Sequence, residues 1–253
     1  MSKTRIILIL WLSALLMSLS ACQVNNTETK SEKEKLSTEI PNRKQIAVSD
    51  SHKNESYDIA PLPYANLAEA AADSIMVFRG EVVNVEYVVL ENGSIHTRED
   101  IKVLEVLDGQ AEVGDIVKTQ IDGGYILLSE YLAACDEERQ EWIKESLQSI
   151  SSEEYDSYYY EVLWDGEKAP IIGDESVYFF KIFGTEMEEG FYTRTMGRLG
   201  EYFLCHDGQY LVPDYVHSPD LIRRVINGEE TKDYEGYTKI SYEELLTRLG
   251  VGN

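Results

Sequence analysis

The side chains here that could carry chemistry are three cysteines, four histidines and 46 carboxylates. His96, His206 and His217 have none of the pairwise spacings of a zinc motif, and His52 stands in a polar stretch, so all four read as ordinary histidines and no metal is expected. His-Glu-x-x-His, Gly-x-Ser-x-Gly, Ser-x-x-Lys, a phosphate-cradling Gly loop and an Asp-x-Asp-x-Asp-Gly calcium loop are all missing. No catalytic residue and no cofactor is therefore expected, and the weight falls against an enzyme. Two carboxylates suffice for glycoside hydrolysis, but so many acids single out no pair.

Cys135 and Cys205 leave two readings. Either they form a disulfide tying a helical stretch to late strands, stabilising by roughly 2–4 kcal/mol, or they remain buried free thiols. Catalysis by Cys205 with His206 is disfavoured, because adjacent strand residues point to opposite faces. Tyr155, Tyr158, Tyr159, Tyr160 and Trp164 form a dense aromatic group. They make a ligand surface or pack a helical insertion onto the strands, and the packing role is the plainer one.

The elements that must position these residues start after Pro61-Leu62-Pro63, with a short helix over Tyr64–Ala72. Ile75–Phe78 and Val82–Val88 read as one long strand bent at Gly80, and Asn92-Gly93 is a strong hairpin signal before a return strand from His96 to Leu107. Ile116–Ile121 alternates like a half-buried strand. The period then changes to helical around Leu132, Trp142, Ile143 and Leu147, and Ser151 with Glu154 forms a capping-box pattern. Strands resume at Val177–Phe183, Phe191–Thr195, Glu201–Cys205 and Tyr210–Val212. Two helices close the chain, one from Ser218-Pro219 to Gly228 and one capped by Ser241 and Gly250.

The first 21 residues carry Lys3, Arg5 and an apolar run from Ile6 to Leu19, which is shorter than the ~20 residues of a stable membrane span and reads as an export signal. Leu19-Ser20-Ala21-Cys22 resembles the lipobox of bacterial lipoproteins. That resemblance implies a lipid on the Cys22 thiol, cleavage before it, and a membrane anchor on the outer face of the cell membrane. Without the signal, 21 basic side chains face 46 acidic ones, a formal charge of −25. Residues 22–56 balance six bases with six acids and hold few large apolar side chains, so a disordered tether is expected and the negative excess belongs to the domain. Such a surface repels nucleic acid and favours basic partners or divalent cations.

The order of strand, strand, strand, helix, strand, strand matches a five-stranded OB barrel. The expected class is thus mainly β (α+β): an OB-like five-stranded β-barrel over residues 57–215, a helical insertion at about 129–165, and C-terminal helices over 216–253 packing on the barrel. Ala72–Val82, Val103–Gly109 with Gly114-Asp115, and Gly173–Phe180 resemble a pattern in lipoproteins of Gram-positive bacteria. More distantly the pattern is similar to the netrin-type domain of tissue inhibitors of metalloproteinases. The inhibitory free N-terminal Cys of that family does not carry over, since Cys22 would be lipidated. The expectation is a membrane-anchored extracytoplasmic lipoprotein that binds an envelope protein or wall-derived ligand without catalysis. The alternatives are an envelope hydrolase using a carboxylate pair, or an inhibitor of an envelope protease.

Overall fold

The computed structural model describes residues 40–49, 67–90, 93–163, 168–181, 190–195, 200–213, 219–229 and 237–251. The signal, Cys22, most of the tether, Trp164, His52 and His217 lie outside them.

Long β-branched and aromatic runs form a mainly β structure around one large sheet. Strand β1 is Ile46–Ser49, β2 Met76–Val89, β3 Ile95–Gly109, β4 Ile116–Asp122, β5 Gly124–Leu127 and β6 Tyr159–Val162. They are followed by β7 Glu175–Lys181, β8 Thr193–Arg194, β9 Glu201–Leu204, β10 Tyr210–Pro213 and β11 Tyr237–Ile240. The helices are α1 Leu67–Ala72, α2 Leu128–Ala134, α3 Glu137–Ser146, α4 Pro219–Ile226 and α5 Tyr242–Leu249. The main sheet runs β11-β10-β9-β7-β2-β3-β4, antiparallel throughout, with β8 beside β7. Its path is open, because β9, β10 and β11 extend it beyond β7 instead of turning back to β4. β4 and the chain before β8 meet at a parallel bridge, Thr119 to Tyr192, where Thr119 Oγ1 also donates to the Tyr192 carbonyl. Among the described residues no helix is long and apolar enough to cross a membrane.

Period-two alternation gives this sheet two apolar faces. Val77, Val177, Phe179, Tyr202, Tyr210 and Ile240 face α1 and α5, where Ala71, Leu245 and Leu249 cover them. Phe78, Ile101, Val103, Tyr178 and Phe180 lie on the opposite face. Phe203 and Leu211 continue that second face and pack under Ile222, Val225 and Ile226 of α4. The C-terminal helices thus cover both sides of a sheet and do not close a barrel end. Ser241 Oγ accepts the Glu244 amide, and Gly250 ends α5 in the left-handed region, as their spacing predicts.

Three elements correct the sequence reading. The helical insertion contains α2, α3 and a 3₁₀ turn over Ser152–Ser157, but it closes with strand β6, which pairs with β5. The tether is not polar chain throughout its length, since β1 adds in parallel to β6. Its partly buried Ala47 and Val48 pack on the insertion core, an apolar contact that offsets the ordering entropy. Strand β11, short and half polar, extends the sheet beside β10.

Gly109 ends β3 at φ +89°, and a Cβ there would stand 2.1 Å from the Ile75 carbonyl oxygen and 2.7 Å from Met76 Cα. Gly114 has φ +97° with nothing within 4 Å. Gly114→Ala should therefore cost about 1–2 kcal/mol for the positive φ alone. Gly109→Ala should cost roughly 3–4 kcal/mol, because backbone must also move. Urea unfolding of the two variants checks the difference.

A buried charge network as the candidate functional site

Cys135 and Cys205 are free, buried thiols. They belong to different clusters, Cys135 to the insertion core and Cys205 to the layer under α4, so the disulfide weighed from the sequence is not formed. Burial pushes the Cys205 thiol up to about 11, which makes it a poor nucleophile.

The tyrosine group serves the insertion core. Tyr160 is fully buried and stacks on Tyr131 with ring centroids 4.2 Å apart. Its hydroxyl accepts a hydrogen bond from Arg139 Nη2 at 2.9 Å. Tyr155 and Tyr158 are half-buried against the same cluster. Tyr159 is half-buried at the start of β6. Tyr155, Tyr158 and Tyr160 thus belong to the insertion core. Among the described residues, Trp142 on α3 is a large exposed aromatic of the insertion, under the Arg139 guanidinium at 4.8 Å.

The main concentration of ionisable groups lies elsewhere, on the sheet face under α4. Alternation along β3 points Ile95, Thr97, Glu99, Ile101 and Val103 inward, so Glu99 is carried into an apolar layer. Register places Glu201 of β9 beside Tyr178 of β7, and Ser176 beside Phe203. Arg194 of β8 reaches Glu201 at 2.8 Å and Glu99 at 3.4 Å. Lys168 lies 3.0 Å from Glu201 and 3.2 Å from Asp174. Asp174 also receives two hydrogen bonds from Arg223 of α4, at 2.9 and 2.8 Å, and the Ile171 amide at 2.8 Å. Arg223 further donates to the Ala169 carbonyl. Ser176 Oγ donates to Glu201 at 2.8 Å. Three acids thus meet three bases drawn from five parts of the chain.

Glu99 and Glu201 are each 1% exposed. Burial opposes the charge on Glu201, but Arg194 and Lys168 outweigh it and hold its pKa below the ordinary range. Burial likewise opposes the charge on Asp174, and Lys168 with Arg223 holds its carboxyl well below that range. Glu99 goes the other way: burial raises its pKa, Arg194 only partly opposes this, and Glu201 adds to it. Distance explains the split, since Arg194 stands closer to Glu201. Burial also raises Tyr178, which stays a neutral phenol.

A raised carboxylic acid favours the fold while it is protonated, so its contribution is lost as pH rises from the unfolded Glu value toward the folded one. Glu99→Gln mimics the protonated form. The stability of this variant relative to wild type should therefore increase as pH rises above the ordinary Glu range, measured by urea unfolding at several pH values. A ratio independent of pH would show that Glu99 is not the raised group.

Chemically the network can hold segments together, since its acids face cations and Glu99 and Glu201 are closed to solvent. Among the described residues no group of three or more His, Cys, Asp or Glu is arranged to hold a metal ion. No protein-family model matches this chain, and no curated protein or solved structure matches it either. Sequence reasoning missed these residues, although the inward parity of Glu99 on β3 was a readable signal.

Proposed function

We propose that this chain is a lipid-anchored extracytoplasmic module of the cell envelope that binds a protein or wall-derived ligand, with a basic partner favoured. The observation that carries the reading is the distribution of charge. The interior network matches three acids with three bases, so it does not account for the domain's formal excess of 25 negative charges. Such an excess steers cationic partners and repels nucleic acid. The Leu19–Cys22 resemblance supplies the anchor and the tether supplies reach.

The OB-like reading of the core is part of this proposal. It is supported by the meander β2-β3-β4, the return of β7 to β2, and the parallel bridge between Thr119 and Tyr192, the contact through which a third and a last strand would approach each other. A hydrolase built on a carboxylate pair is the weaker reading, because Glu99 and Glu201 share one guanidinium and are closed to water. Protease inhibition through an N-terminal Cys conflicts with lipidation of Cys22.

Mass spectrometry of the membrane fraction tests the anchor. A diacylglyceryl group on an N-terminal Cys22 peptide, with release of Cys22→Ala into the medium or its retention as an uncleaved precursor, is expected. An unmodified Cys22 would overturn it.

A further inference from the structure

Beyond the buried network, three side chains at the edge of β3 and β4 stand in a row, the first two hydrogen-bonded and the third a charged neighbour. Ser94 Oγ lies 2.9 Å from His96 Nε2, and His96 Nδ1 lies 3.2 Å from Asp122 Oδ1. The sheet dictates this order. Ser94 and His96 are two residues apart and share a side of the chain, while register sets Asp122 of β4 directly opposite His96. A carboxylate 3.2 Å from Nδ1 favours the tautomer that carries its proton there, and in that tautomer Nε2 accepts from the serine hydroxyl. That is the arrangement by which a serine is activated for acyl transfer.

We infer that Ser94 is a nucleophile activated by His96 as general base, with Asp122 as a positioning residue, able to take the acyl group of a carboxylic ester. This goes beyond the anchored-module reading and stands without it. In the first step Ser94 Oγ bonds to the ester carbonyl carbon and its proton passes to His96 Nε2. Collapse of the adduct breaks the bond from carbon to the alcohol oxygen, and the alcohol leaves with that proton. Water then attacks the acyl-serine, His96 taking and returning a proton, so that a carboxylic acid departs and the Ser94 hydroxyl is restored.

The surroundings support this chemistry. Ser94 is half-buried at the turn that leads into β3. Burial lowers the His96 pKa, with Asp122 opposing and Arg98 adding to the shift, which favours the neutral base near pH 7. The acidic surface favours esters of neutral or cationic character over anionic ones. General-base activation alone contributes about 10²–10⁴-fold. Asp122 is 71% exposed on its side chain, so its share is the smaller one.

The test uses a fluorophosphonate probe on the intact folded chain, with labelled peptides mapped by mass. Ser94 should react about 100-fold faster than it does in the urea-unfolded chain, and His96→Gln should remove most of that gain. Asp122→Asn should slow labelling about 10-fold and Asp122→Glu restore it, a rescue that a purely structural role would not require. Labelling at Ser94 no faster than in urea, or a full rate in a folded His96→Gln chain, would overturn the inference. Should His96→Gln unfold, the Asp122 pair decides, and equal rates in its two variants would count against the row.

Discussion

Replacing Glu201 with alanine is expected to destabilise the domain by roughly 3–5 kcal/mol, because Arg194 and Lys168 then remain buried without their shared anion. The size of the effect comes from desolvation. A buried ion pair contributes little over an apolar equivalent, but removing one partner leaves a charge that water cannot reach. The exposed pair Arg248–Glu244 on α5 is the internal control: both side chains are about half exposed, and Glu244→Ala should cost about 0.5 kcal/mol or less. Urea unfolding of both variants checks the contrast. A loss under about 1 kcal/mol for Glu201→Ala would mean that water reaches the network.

Tyr160→Ala is the second large change, with an expected loss of about 3–5 kcal/mol. The side chain is completely buried, so its removal leaves a cavity next to Tyr131 and takes away one acceptor of Arg139. Tyr160→Phe keeps the stack and loses only the hydroxyl, which should cost about 1 kcal/mol. Amide exchange should show the loss first in α2, β5 and β6, the elements packed around this ring. If the tyrosines formed a ligand surface instead, Tyr160→Ala would leave stability nearly unchanged.

Strand alternation and capping were legible in the sequence because they depend on near neighbours. The hairpin of β2 and β3, the bend near Gly80, and the Ser241 to Gly250 helix all follow from residues a few positions apart. What escaped was set by distant pairing. β1 is a strand only because β6 offers an edge far along the chain, and β6 itself hides within a run that also suits the end of a helical insertion. β11 is short and carries polar Thr238 and Lys239, so only β10 beside it defines it.

The sites divide along the same line. Glu99 at an inward position of β3 was readable as a buried acid, but its cation Arg194 comes from a two-residue strand late in the chain. Lys168 and Arg223 lie outside any alternation that would mark them as interior. The i, i+2 relation of Ser94 and His96 was likewise visible, whereas Asp122 joins them only through the register of β3 and β4. The aromatic run left two readings open, packing being the plainer. Its composition fits a ligand surface, and only the stack with Tyr131 shows Tyr160 to be core.

Cross-linking and co-purification of the tagged, membrane-anchored full-length chain from its native cells tests the central claim most directly. A stoichiometric protein partner rich in basic residues, lost when residues from Tyr57 onward are deleted, is the result expected of an acidic interaction module. A membrane-bound chain that retains no protein and no wall fragment above the level of the deleted form would contradict it.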